Sequence, residues 1–191
     1  MEIIASGAEA VIALEGNTII KTRVHKRYRL KEIDEMLRRD RTRTDVRLIS
    51  EARRCGVPTP IIRDVTDFEI KMEYIDGVPL KNVITPALSE KAGELVGKLH
   101  SCGLVHGDLT TSNIIFRDEK LFLIDFGLAS IDKNLEARGV DVHVLFQTFE
   151  STHEAHEELI LFFKKGYRRT FSGADDVINR VKEIESRGRY A

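Results

Sequence analysis

An α+β fold of two unequal lobes is predicted by three observations. Residues 1–75 are mostly short β-rich segments with helical sequence between them. Residues 76–191 return to a few strands and then become helical. Asp76-Gly77 breaks the last of the early strands, which puts the join between the lobes near 73–80.

Each element follows from local chemistry. Ile3-Ile4, Val11–Leu14 and Thr18–Ile20 are rich in β-branched residues. Gly7 and the Gly16-Asn17 pair punctuate them, so strands joined by a hairpin are expected. Two helices are expected around 30–39 and 44–55. In the second, Leu48, Ala52 and Cys55 recur at helical spacing, and Glu51 is assigned to the same inward stripe. Gly56 and Pro58 stop that helix. Residues 61–74 read as strands turning at Thr66-Asp67. From Pro86 to His100 the residues Leu88, Ala92, Leu95, Val96 and Leu99 keep a helical period, with Thr85 as N-cap, Pro86 at the first position and Gly103 as terminator. Residues 120–124 form a further strand. Three helical stripes close the chain: Val142, Leu145, Phe146 and Phe149; His156, Leu159, Ile160 and Phe163; Val177, Val181 and Ile184.

The composition excludes several classes. With 42% apolar residues and a net charge of −1, the chain is not of the disordered type. The longest aliphatic and aromatic run, Leu159–Phe163, is too short to cross a bilayer, and no basic segment opens a signal peptide. Charge is uneven, however. Lys21–Arg54 holds 13 basic and 6 acidic residues, and 164–191 holds 8 and 4. Such stretches are either solvated faces or surfaces for RNA or an acidic partner. Cys55 and Cys102 are too few for a disulfide framework, so a reducing cytoplasm is expected, with Cys102 as a packed thiol.

The chemistry is concentrated in His106-Gly107-Asp108-Leu109-Thr110-Thr111-Ser112-Asn113, followed by Asp125-Phe126-Gly127. Phosphoryl transfer from a nucleotide needs one carboxylate at the attacking oxygen, with an amide and a second carboxylate to hold metal ions on the phosphates. Hard oxygen donors of that kind suit Mg²⁺. It also needs a held cation. Lys21 ends a strand, and Glu51 is the expected partner that keeps its ammonium charged and aimed.

Lys21, Glu51, His-Gly-Asp, Asn113 and Asp-Phe-Gly, in this order, resemble the protein-kinase set. The resemblance implies a minimal two-lobed protein-kinase-like fold, with a β-rich N-lobe over 1–75 and a trimmed helical C-lobe over 76–191. Several features depart from the common pattern. Ser6-Gly7-Ala8-Glu9-Ala10 has one glycine where a phosphate loop usually has three, Gly107 stands where an arginine is usual, and no Ala-Pro-Glu follows Asp125. With Lys26–Arg29, Arg41–Thr44, Ser50–Arg53 and Arg187-Gly188-Arg189, these features resemble the atypical serine/threonine kinase subunit family of the KEOPS, or EKC, complex. That resemblance implies a cytoplasmic protein using ATP and Mg²⁺ in support of threonylcarbamoyl (t6A) modification of tRNA. Its implied partners are the tRNA-modifying ATPase-fold subunit and small accessory subunits, with tRNA contact through 21–54 and the C-terminal tail.

The same resemblance implies roles. Asp108 would be the catalytic carboxylate, and Asn113 and Asp125 the metal ligands. Lys21 would contact the inner phosphates, anchored by Glu51, under a loop of Ser6, Gly7, Ala8, Glu9 and Ala10. Met72 would back the adenine pocket, the Glu73 carbonyl and Ile75 amide would meet the adenine edge, and Asp141 would brace the catalytic loop. His106 reads as a packed structural ring, and His153 and His156 as a solvated helix face. Three other functions compete: a small-molecule phosphotransferase of aminoglycoside-kinase type, a partner-activated ATPase with little kinase activity, and a scaffold with a vestigial nucleotide site; the ribosome-maturation atypical kinase group is also trimmed, but the Gly7-Ala8-Glu9-Ala10 start and the intact Asp125-Phe126-Gly127 argue against it.

Overall fold

The computed structural model describes residues 1–188. Strands β1 (Glu2–Ser6), β2 (Ala10–Glu15), β3 (Thr18–Arg23), β4 (Ile62–Val65) and β5 (Glu69–Glu73) form one antiparallel sheet in the order β1-β2-β3-β5-β4. The Gly16-Asn17 hairpin is present. Glu15 faces Thr18 across it, and Gly16 takes the left-handed φ of 59° that a two-residue loop opening on glycine requires.

Between β3 and β4 runs a single helix, α1 (Lys31–Arg54), where two were expected. The reason is chemical. The inward positions include Asp34, Thr42 and Asp45 beside Leu48, Ile49 and Ala52, so the apolar period lapses while the helix continues. Thr42 returns its hydroxyl to the Arg38 carbonyl at 2.8 Å, and Asp34 accepts from Arg38 Nε at 2.7 Å. The buried polar groups are thus satisfied and no break is needed.

The second half contains β6 (Val78–Pro79), α2 (Pro86–Ser101), β7 (Leu104–Val105), β8 (Ile114–Arg117), β9 (Lys120–Leu123), β10 (Ser130–Ile131), α3 (Leu135–Thr152), α4 (His156–Thr170) and α5 (Ala174–Gly188). Thr85 caps α2 as expected, its hydroxyl accepting from the Leu88 amide at 3.2 Å. The predicted stripe residues Leu95, Val96 and Leu99 of α2, Val142, Leu145, Phe146 and Phe149 of α3, and Val177 and Val181 of α5 are all buried. Phe146, Phe149, Phe163, Tyr167 and Phe171 form a continuous chain of ring contacts, with centroids 5.4–6.5 Å apart. Helices α2 and α4 approach backbone to backbone: a Cβ on Gly166 would stand 1.9 Å from the Glu90 carbonyl oxygen. No helix among the described residues is long and apolar enough to cross a membrane.

The cysteines differ from expectation. Cys55 and Cys102 cap the C-termini of α1 and α2 and are joined by a disulfide, with Cα atoms 6.3 Å apart. Cys102 is exposed rather than packed. A separation of 47 residues carries no pairing signal, because the proximity arises only when two helices end side by side.

Candidate active site

The loop from His106 to Asn113 lies between β7 and β8 and is held from below by α3. Asp141 Oδ2 accepts from the His106 amide at 2.7 Å, and its Oδ1 accepts from the Gly107 amide at 2.8 Å. Behind it, His100 Nε2 lies 3.1 Å from Asp141 Oδ2, and His100 Nδ1 lies 2.6 Å from the Tyr167 hydroxyl. A carboxylate only accepts, so His100 Nε2–H donates to Asp141. Burial pushes the Asp141 carboxyl up, but the bond and charge of His100 and the loop amide outweigh it, and the net shift is down. Gly107 has φ 79°, and a Cβ there would meet the Leu128 carbonyl oxygen at 2.2 Å. The residue that departs from the usual arginine therefore answers to a close passage of the chain just after Asp-Phe-Gly.

Within the loop, Asn113 Nδ2 donates to the Asp108 carbonyl at 2.9 Å and to Asp108 Oδ2 at 3.0 Å. The next loop is tied to this one, since the Ile124 amide donates to the Asn113 carbonyl at 2.9 Å. His106 Nε2 lies 2.9 Å from the Ile124 carbonyl, and its ring sits 5.2 Å from that of Phe126. Asp125 follows with φ 57°, a left-handed conformation that a non-glycine residue holds only when its surroundings fix it. Its Oδ1 accepts from Lys21 Nζ at 2.9 Å. Burial raises the Asp125 carboxyl, yet the Lys21 charge and hydrogen bond bring it below its ordinary value.

Lys21 does not meet Glu51. Its second partner is Asp45, with Nζ 3.1 Å from Oδ2, while Glu51 is partly exposed and pairs with Arg54 at 2.8 Å. Six helical positions turn a side chain by about 240°, which carries Glu51 off the inward face that Asp45 shares with Leu48, Ile49 and Ala52. The sequence did hold the signal: Asp45 precedes those three by three, four and seven residues. Arg23 was also missed. It stands two residues after Lys21 on β3, is buried, and contacts the same Asp45 oxygen through Nη2.

Two adjoining cavities meet at Lys21 and Asp125. One, of about 250 Å³, is walled by apolar side chains and includes Met72, Glu73, Ile75 and Asn113. The Glu73 carboxylate is engaged by Arg117 at 3.2 Å, and the Glu73 amide donates to the Ile61 carbonyl at 2.8 Å. The other, of about 500 Å³, is lined by Gly7, Ala8, Glu9, Ala10, Arg23, Arg41 and Asp108 among others. Ser6 ends β1, is exposed, and does not line either cavity. The tight turn after it is closed by the Gly7 amide donating to the Ala10 carbonyl at 3.0 Å. Lys26 holds the Ala8 carbonyl, and Arg41 holds the Glu9 carboxylate.

The donor set fits Mg²⁺. With Asn113 Nδ2 spent on Asp108 and Asp125 Oδ1 on Lys21, the Asn113 amide oxygen and Asp125 Oδ2 remain. No group of three or more His, Cys, Asp or Glu side chains gathers around a metal position among the described residues. Few protein ligands completed by substrate phosphate oxygens is the usual way this cation is held.

The RIO domain matches residues 15–159. A probable bifunctional tRNA threonylcarbamoyladenosine biosynthesis protein of Methanosarcina barkeri is 64% identical over 195 residues, aligned with 100% of this chain and 36% of that protein. The chain thus spans about a third of the length of this relative and of two further Methanosarcina relatives it matches. A probable serine/threonine-protein kinase BUD32 homolog of Archaeoglobus fulgidus is 45% identical, over 96% of this chain and 94% of its own. The KEOPS complex subunit Bud32 of Pyrococcus abyssi is 38% identical, over 100% and 96%. Among solved structures, the Rio2 kinase-ADP/Mg²⁺-phosphoaspartate complex from Chaetomium thermophilum aligns with a TM-score of 0.66 at 18% identity, covering 97% of this chain and 72% of that one, and shares the fold.

Proposed function

The chain belongs to the RIO-domain family, among its Bud32 members, and from that premise we propose that it is an atypical serine/threonine protein kinase and ATPase that uses Mg-ATP. The observation that carries this reading is the Lys21–Asp125 pair at 2.9 Å, facing Asp108 and Asn113, which are hydrogen-bonded to each other at 3.0 Å. A cation, two carboxylates and an amide meet there at the polar end of an apolar cavity.

In this reading the N-lobe is 1–75 and the C-lobe 76–191, with the nucleotide between them. Adenine enters the apolar cavity against Met72, and the Glu73 carbonyl and Ile75 amide meet its edge. Lys21 contacts the inner phosphates, and Asp45 takes the anchoring role first assigned to Glu51. The turn Gly7–Ala10 lies over the phosphates, with Ser6, first assigned to it, standing outside the cavity. Asn113 and Asp125 would hold Mg²⁺, which when bound would neutralise charge on the phosphates. Asp108 accepts the proton of an attacking hydroxyl, or orients a water, while Asn113 fixes its carboxylate.

Beyond the chemistry, we propose that the protein works in the cytoplasm as a subunit of a KEOPS complex and supports t6A modification of tRNA. The names of the relatives support this, and the longer bifunctional relatives join a matching region to further sequence in one chain. Its partners are the tRNA-modifying ATPase-fold subunit and small accessory subunits. For tRNA, the exposed cations Arg27, Lys31, Arg43 and Arg47 make no salt bridge among the described residues and are available, whereas Arg41 is held by Glu9. The C-terminal part of the basic tail, with Arg189, lies outside the described residues.

Turnover of radiolabelled ATP with Mg²⁺, alone and with the tRNA-modifying partner, tests the proposal. Phosphoprotein is expected from a working kinase, and free phosphate that rises with partner or tRNA from a working ATPase. Absence of both products would overturn it.

A further inference from the structure

Arg23 is the buried cation that the reading above leaves without a task. It follows Lys21 by two residues on β3, so both side chains leave the same face of the sheet. Both also reach one oxygen, Asp45 Oδ2. The Asp45 side chain is only 3% exposed, and with Asp125 the cluster holds two cations and two carboxylates. Lys21 has a second partner in Asp125, whereas Asp45 is the sole ion-pair partner of Arg23 among the described residues. The Arg23 Nε is buried and makes no hydrogen bond. A buried donor left unpaired is destabilising, and in a native fold it asks for an explanation.

The position of Arg23 supplies one. It lines the larger cavity with Lys21, Asp108, Asp125 and the Gly7–Ala10 turn, where the phosphates are proposed to lie. A guanidinium keeps its charge when buried and offers a planar fork that matches phosphate oxygens two at a time. We propose that Arg23 is a second phosphate-binding cation that reads the terminal phosphate of the nucleoside triphosphate, with Asp45 as the positioning residue for both Lys21 and Arg23. The division of labour follows from the partners. Lys21 is drawn toward the metal-binding carboxylate, and Arg23 retains free donors. The inference rests on the nucleotide reading given above.

The test compares Arg23→Met and Arg23→Lys with the wild-type chain in titrations with Mg-ADP and with the Mg complex of the β,γ-imido analogue of ATP. Arg23→Met is expected to weaken the triphosphate analogue at least tenfold and ADP less than twofold. Arg23→Lys keeps a cation against Asp45 but loses the fork, and the same selective loss is expected in smaller measure. It serves as the readout if the methionine variant fails to fold. Equal weakening of both nucleotides would assign Arg23 to packing alone, and unchanged affinity for both would remove it from the site; either overturns the inference. A wild-type chain that binds neither nucleotide would instead overturn the nucleotide reading itself.

Discussion

Exchanging Asp45 and Glu51 separately for alanine distinguishes the observed helix face from the expected one. Asp45→Ala strips the partner from a pocket in which Lys21 is 8% and Arg23 6% exposed. Removing one member of a buried ion pair costs about 3–5 kcal/mol, because the remaining charge stays buried without compensation. For a chain of this size 1 kcal/mol moves the melting temperature by about 2–4 °C, so a fall of roughly 6–20 °C is expected. Lys21 also loses one of its two anchors, and the KM for ATP should rise. Glu51→Ala removes a partly exposed contact with Arg54 at 2.8 Å. Exposed pairs contribute about 0–1 kcal/mol, so its melting temperature should stay within about 2–4 °C of the wild type, with ATP kinetics unchanged. Thermal melts and steady-state ATP turnover on both variants are the assay. A Glu51→Ala variant as impaired as Asp45→Ala, or an Asp45→Ala variant that melts with the wild type, would refute the argument.

Four further outcomes are expected. Asp108→Ala should abolish phosphoryl transfer and ATP hydrolysis while leaving circular dichroism and melting near wild type, since it removes a proton acceptor and little packing; residual turnover at the wild-type rate would exclude Asp108 from the chemistry. Gly166→Ala forces a Cβ to within 1.9 Å of the Glu90 carbonyl oxygen, so α2 and α4 must part, at a cost of about 1–3 kcal/mol read by urea denaturation. Asp141 has its folded-state pKa below the ordinary 3.8, so its contribution to stability is complete well above pH 3.8 and is lost as pH falls through the lower folded value. Denaturation midpoints between pH 6 and pH 2 should therefore fall more steeply for the wild type than for Asp141→Asn. Arg43→Glu combined with Arg47→Glu should weaken tRNA binding and reduce its salt slope by about 2, and titration at several salt concentrations checks both.

The parts legible in the sequence are those whose contacts are local. The Gly16-Asn17 hairpin, the Thr85 cap and the loop from His106 to Asn113 each place their residues within a few positions of one another. Helix α1 departs from the two expected helices because polar residues hold its buried face: Asp34, Thr42 and Asp45 are silent to an apolar period. The Lys21 partner is Asp45 and not the expected Glu51, since the pairing spans two elements and depends on the rotation of the second. The His100–Tyr167 contact joins α2 to α4 across 67 residues, and the disulfide joins the ends of α1 and α2 across 47. Neither has a local signature, because both depend on how whole helices pack.

The bond between Cys55 and Cys102 changes the mechanics of the molecule. The main chain passes from the five-stranded sheet to the helical half through Tyr74–Gly77, between β5 and β6. The disulfide adds a second covalent link between the same halves, from the end of α1 to the end of α2. Two bodies pinned at two points keep one free rotation, about the line through the pins. A protease cutting once anywhere in the closed ring, even at the crossing strand itself, would leave a single covalent molecule, and a reductant together with that cut would leave two pieces joined by the core that Leu48, Ile49 and Ala52 share with Leu80 and Leu99.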